Sequence, residues 1–312
     1  MPHIIGEIRP NKHICVKYCR MLNKKGWFYC INHKIYHTFA EKVFLMTISS
    51  WVYDKAIHGF STFSVEDVKR SFVSMPSQYI QTELNNLVKK TRIAAVYRGF
   101  YVIIPAHYVL RGVVPPLYYV DQLMNYLGKP YYVSLLNAAE LLGAAHQRPQ
   151  TFSITTLLPQ PRISAKKNPL LSWTYRREIE EDFLLTRNTE TGIVKYSSAE
   201  LTALDLVQYS QNIGGLSRAA TILEELCEVM DMNKFTDKLC KYTTLATLQR
   251  LGYILEHVLF EQEKADVIYE RIKASGRKML YTDLNKESDI ANVERDQKWK
   301  IKINCEIETD DI

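Results

Sequence analysis

Residues 131–156 read YYVSLLNAAELLGAAHQRPQTFSITT, and this stretch decides the fold. It comes after the turn-like Gly128-Lys129-Pro130. Leu135, Ala138, Ala139 and Leu142 recur at helical spacing, which predicts a helix over 134–145 with Ser134 as its N-cap. Gly143, Ala144 and Ala145 are small enough to admit a neighbouring backbone. Gln147-Arg148-Pro149 breaks the pattern, and the β-branched run over 151–156 predicts a strand. An apolar helix feeding a strand through a tight connection is the first unit of a mixed α/β core. The chain ahead of residue 131 reads as a smaller module, and the chain beyond residue 156 as the rest of the core.

The chain has 312 residues, enough for two domains and a sizeable core. No run of 18 apolar residues suggests a membrane span, and no apolar segment near the start suggests a signal peptide. The six cysteines are then expected as reduced thiols, and the protein as cytoplasmic. The net charge of +6 is misleading, because residues 1–45 hold eight of the 40 Lys/Arg and only two of the 34 acids. The remainder is neutral, so bulk charge gives no reason to expect nucleic-acid binding by the core; local clustering must carry that.

Residues 1–45 carry three of the six Cys and four of the eight His without sustained periodicity. They read as a leader of doubtful structure, with Met46 a natural start. The sharper alternative is a tetrahedral zinc site of Cys15, Cys19, Cys30 and His33.

The next 60 residues are more regular. A helix is predicted over 47–57, ended by His58-Gly59. Ser64-x-x-Asp67 starts a second helix, to about residue 73, in the manner of a capping box. After Ser74-Met75-Pro76-Ser77, with Ser77 available as a cap, a third helix runs to about residue 90 on a stripe of Ile80, Leu84, Leu87 and Val88. Its other face presents Gln78, Thr82, Asn85, Asn86 and Lys89. Asn and Gln pair bidentately with adenine in a major groove, and Lys reaches phosphate or guanine. Any solvated helix face is also polar, so the face alone leaves both readings open. Two β-prone runs, 93–97 and 100–104, lie on either side of Arg98-Gly99. Three helices and a hairpin make a winged helix-turn-helix, with Arg92 at the wing's base and Arg98 at its tip to meet phosphates.

Residues 106–116, part of a Pro-rich stretch, read as a linker, and residues 117–312 as the larger domain. A helix is predicted over 117–127. After residue 156, a Pro-rich loop bears Arg162, Lys166 and Lys167, and a strand over 170–175 ends at Arg176-Arg177. These bases form either a second phosphate-facing patch or a solvated loop edge. Short strands are expected at 183–185 and 193–196, and helices at 197–209, 216–230, 235–241, 245–255 and 259–275. Gly214-Gly215 reads as a helix-joining turn, and 281–296 as a polar loop. Trp299, Ile301, Ile303, Cys305 and Ile307 alternate as in a half-buried strand.

Several stretches together carry a family resemblance: SLLNAAELLGAAHQ with PQTFSITT, TFSVEDVKRSF, YRGFYVIIP, SSAELTALDLVQYSQNIGGLSRAATILEEL and WKIKINCEIETDD. They resemble the AbiEi antitoxins of bacterial type IV toxin–antitoxin systems, which act in abortive infection and phage defence. That family joins an N-terminal winged helix-turn-helix to a larger antitoxin domain, an α+β protein overall. The resemblance implies double-stranded DNA as a partner, the protein's own promoter with inverted repeats. It also implies a functional partner, a nucleotidyltransferase-like toxin opposed without a stable direct complex. No membrane partner, metal or cofactor is expected.

No H-E-x-x-H, G-x-S-x-G or Walker A motif occurs, no Gly precedes Ser, and D-x-D is absent. His146 is the best-placed lone histidine and reads as structural beside Gln147. An enzyme is therefore not expected. The leading expectation is a DNA-binding, self-repressing antitoxin. The alternative is a winged-helix regulator whose C-terminal domain senses a ligand or protein.

Overall fold

The computed structural model describes residues 46–111, 113–144, 149–159, 161, 171–288 and 293–309. The leader, its cysteine–histidine alternative, His146 and the bases at 162, 166 and 167 lie outside them. The chain forms two compact units, residues 1–54 and 55–312. Helix α1 (Ile48–Ile57) buries Ile48, Trp51 and Val52 and ends at Gly59, whose φ of +82° suits glycine.

After it come β1 (Thr62–Ser64), α2 (Val65–Ser71), α3 (Ser77–Lys89), β2 (Ile93–Tyr97) and β3 (Phe100–Ile103). With α1 ahead of them, this is the order of elements in a winged helix. The capping box forms: Asp67 N–H donates to Ser64 Oγ at 3.1 Å, and Ser64 N–H to the Asp67 carboxylate at 2.8 Å. Burial pushes that carboxylate's pKa up, but the Ser64 hydrogen bonds and Arg70 hold it below its ordinary value. Helix α3 differs from expectation at its start, because Pro76 holds the N-cap position and Ser77 is already helical. The three strands pair antiparallel in the order β1-β3-β2.

The expected linker does not run free. Val96, Phe100, Val102 and Ile104 of the hairpin share one apolar cluster with Val114, Tyr119 and Leu123. The latter two bracket the start of α4 (Val120–Leu127). Tyr126 of α4 packs on Phe100, with ring centroids 5.2 Å apart, and its hydroxyl donates to the Arg98 carbonyl at 3.3 Å. A Cβ on Gly99 would sit 3.0 Å from that hydroxyl, and φ there is +76°, so the wing tip needs glycine on two counts.

The larger domain is built on a five-stranded mixed sheet, ordered β6-β5-β4-β8-β7. Its strands are β4 (Tyr131–Val133), β5 (Phe152–Leu157), β6 (Leu171–Arg176), β7 (Leu184–Thr189) and β8 (Gly192–Ser197). Strand β4 was not expected, and it precedes α5 (Leu135–Leu142), which Gly143 ends at φ +86°. Because β5 returns antiparallel to β4, the opening unit is a β-α-β turn-back rather than a parallel crossover. Ser134 is the N-cap by position only: its buried hydroxyl has no hydrogen-bond partner among the described residues.

Helix α6 (Ala199–Gln208) packs against β8; α7 (Leu216–Cys227) and α9 (Leu245–His257) pack on α6, and α10 (Gln262–Ala274) packs on α9 and α8 (Asp237–Tyr242). Helix α6 is buried from Ala199 to Val207, capped by Ser198, whose hydroxyl accepts from Leu201 N–H. Gly214 and Gly215, at φ +103° and +104°, form the turn into α7. The stretch expected as a polar loop supplies β9 (Thr282–Asp283) and β10 (Glu294–Asp296), which flank β11 (Ile301–Ile303) in a small second sheet. Trp299, fully buried, pins this C-terminal segment onto α9: its indole N–H donates to Glu256 at 2.8 Å.

Candidate nucleic-acid interface and the buried polar centre

The residues expected to read DNA fall on α3 and the wing. Gln78, Thr82, Asn85 and Lys89 are exposed and recur every three to four residues, so they form one outward stripe. Ile80, Leu84 and Leu87 bury the opposite side. Asn86 departs from the expected face: it is half-buried and its amide donates to Glu83 at 3.3 Å. Sequence reasoning passed over Gln81, whose amide donates to the Asn85 carbonyl oxygen at 3.2 Å and to the Tyr101 hydroxyl at 3.4 Å. The i, i+4 spacing of Gln81 and Asn85 was the available signal. That contact orients Asn85 through its oxygen and leaves its amide N–H groups to donate outward. Thr82 is partly spent, because its hydroxyl donates to the Gln78 carbonyl at 2.9 Å.

Lys89, Lys90, Arg92 and Arg98 are exposed, and none pairs with a carboxylate among the described residues. By contrast, Lys69 and Arg70 of α2 are occupied by Glu66 and Asp67. The unpaired cations therefore cluster at the end of α3 and along the wing. An unneutralised set of this kind suits phosphate contacts.

The larger domain holds a different arrangement. Arg176, expected at a loop edge or in a phosphate patch, is instead buried. Its guanidinium pairs with Asp205 of α6, donates to the Tyr132 hydroxyl at 2.8 Å and to the Tyr242 carbonyl at 3.0 Å, and lies 4.4 Å from the Tyr242 ring. Tyr132 in turn donates to the other Asp205 oxygen at 2.9 Å. Burial lowers the guanidinium's pKa, yet Asp205 more than reverses this, so it stays charged. Only Arg177, next along, is exposed.

Burial, reinforced by Asp205, pushes the Tyr132 hydroxyl well above its ordinary pKa. Tyr242 is pushed up to about 12, by burial first and then by Asp205 against the opposing Arg176. Burial also raises Tyr209. An unfolded tyrosine ionises near pH 10. Above about pH 10, then, the unfolded chain binds fewer protons than the folded one, and stability falls as pH rises. Urea melts at pH 8 and pH 11 should show the loss, with the share of tyrosinate absorbance at 295 nm that belongs to Tyr132, Tyr209 and Tyr242 appearing only as the protein unfolds. Free titration of all tyrosines in the folded state would contradict the burial argument.

A cleft of about 730 Å3 lies between residues 108–118, α5 and the β7–β8 hairpin, bordered by Tyr108, Arg111, Tyr118, Asn137 and Arg187. Among the described residues, no group of His, Cys, Asp and Glu could hold a metal ion.

Residues 132–257 match the family model of the AbiEi antitoxin C-terminal domain. This stretch is similar to the AbiEi antitoxins. The AbiEi match takes in Tyr132, Arg176, Asp205 and Tyr242, and it ends at α9, short of Trp299. The crystal structure of the RV2827C protein from Mycobacterium tuberculosis is similar in fold, with a TM-score of 0.60 over 85% of this chain and 90% of that one, at 12% identity. Its coverage extends the likeness beyond the AbiEi residues. No curated protein matches the chain.

Proposed function

We propose that this chain is a DNA-binding antitoxin of a type IV, abortive-infection system. The AbiEi match over residues 132–257 supports an antitoxin, and an antitoxin implies a toxin. In this reading the winged helix of residues 46–105 binds inverted repeats in its own promoter and represses the operon. Residues 117–312 oppose a nucleotidyltransferase-like toxin without forming a stable complex with it. The reading rests on one observation above others: the outward stripe Gln78, Thr82, Asn85 and Lys89, flanked by the unpaired Lys90, Arg92 and Arg98.

Base contacts and phosphate contacts give separable outcomes. Asn85→Ala removes a bidentate reader and should weaken the cognate promoter by about 1–3 kcal/mol with little effect on scrambled duplex. Arg98→Ala should weaken both duplexes alike and lower the salt slope by about one unit. Binding isotherms over a salt series measure both. Wild-type affinity of Asn85→Ala for the promoter would reduce the stripe to solvated surface.

The 730 Å3 cleft favours a second reading, a winged-helix regulator whose larger domain senses a ligand or protein. Sequencing the neighbouring genes discriminates the two: a nucleotidyltransferase-type gene immediately downstream would support the antitoxin, and its absence the regulator.

A further inference from the structure

A second cleft, of about 480 Å3, opens where the end of β6, the end of α6 and the α8–α9 connection meet. Its volume falls within the roughly 300–1,000 Å3 of small-molecule sites. Arg176 borders it although its side chain is only 5% exposed. Its guanidinium is already oriented by Asp205, Tyr132 and Tyr242 through three of its five N–H groups, which leaves two for a further acceptor. Arg177 and Lys241 also line the cleft, both exposed and neither bonded to any described residue. Tyr175 lines it too, and its hydroxyl, shielded from solvent, has no hydrogen-bond partner among the described residues. Glu178 is the one carboxylate of the lining, and Asp205 stands behind Arg176 outside it.

We propose that this cleft binds a small organic phosphate. A fixed guanidinium and two unengaged cations line one volume, and a phosphate dianion accepts from several donors at once. The lone Glu178 is outnumbered, and the Asp205 charge is already spent on Arg176. Tyr175 and Tyr209 give the cleft aromatic surface for an organic body, beyond what an inorganic anion uses.

The full chain would be titrated calorimetrically with ATP, with inorganic phosphate and with succinate at matched ionic strength. The same titrations would be repeated on the double variant Arg177→Ala/Lys241→Ala. Both side chains are exposed, so its melting temperature should equal that of the wild type. The expected result is one ATP per chain, weakened at least tenfold in the variant, with phosphate weaker and succinate not binding. ATP that fails to bind at millimolar concentration, or binds the variant as well as the wild type, overturns the proposal. Phosphate binding as tightly as ATP removes the organic part, and succinate doing so removes the phosphate class; either outcome also overturns it.

Discussion

Arg176→Ala is expected to destabilise the larger domain by about 3–5 kcal/mol at neutral pH, through what it leaves behind. Asp205 is fully buried on α6, and its two oxygens accept from Arg176 and from the Tyr132 hydroxyl. Without the guanidinium one carboxylate stays in the core with a single neutral donor, and the Tyr242 carbonyl loses its partner as well. Removing both charges differs from removing one, because desolvation of a buried pair offsets most of its mutual attraction. The triple variant Tyr132→Phe/Arg176→Met/Asp205→Leu should therefore be more stable than Arg176→Ala alone. Urea unfolding at pH 7 measures each. A loss below about 1 kcal/mol for Arg176→Ala would mean that Asp205 is solvated and the polar centre open to water.

That centre also marks where the sequence stops being legible. Features encoded within a few residues could be read directly. Ser64 and Asp67 bond to each other across one turn, the stripe from Gln78 to Lys89 repeats on one helix, and Gly59 and Gly214-Gly215 sit at turns needing positive φ. Arg176 could not be read this way. Beside Arg177 it looks like a basic doublet, and what buries it is Asp205 on α6 and Tyr242 on α8, distant in sequence. The charge of a strand-end arginine shows neither which face of the strand it occupies nor what covers that face.

The same holds for residues 106–116. Proline and glycine there signal the absence of a long helix, but Val114 and Tyr119 still close an apolar cluster with the wing. Strands β1 and β4 are three residues each, too short for alternation to register, and exist because longer neighbours pair with them. The outward positions of Gln78, Thr82, Asn85 and Lys89 were legible because a helix presents its outward face by local geometry alone. Only Asn86, with Glu83 one turn away, escaped that rule.

Trp299→Ala should also cost about 3–5 kcal/mol, and its neighbour Gly252 supplies the sharper test. Trp299 is fully buried and held at three points. Its indole donates to Glu256, its main-chain N–H to Asp296 at 2.5 Å, and its carbonyl accepts from the Gln249 amide at 2.7 Å. Gly252 lies mid-way along α9 with an ordinary φ, so backbone conformation does not require glycine there. Helix propensity alone would make Gly252→Ala stabilising by about 1 kcal/mol. The space decides otherwise, since a Cβ at residue 252 would meet the Trp299 ring at 2.1 Å. A ring bonded through its indole N–H, on a main chain held at two further points, cannot withdraw by the ångström or more that this overlap demands. Overpacking of about 1–3 kcal/mol or more should outweigh the propensity gain, and Gly252→Ala should destabilise. With Trp299→Leu already present, the ring is gone and the same alanine should be neutral or stabilising. A double-mutant cycle by urea denaturation isolates that change of sign as a coupling energy. Equal effects of Gly252→Ala in both backgrounds would show that the ring does not rest on α9, and that the C-terminal segment is anchored by some other contact.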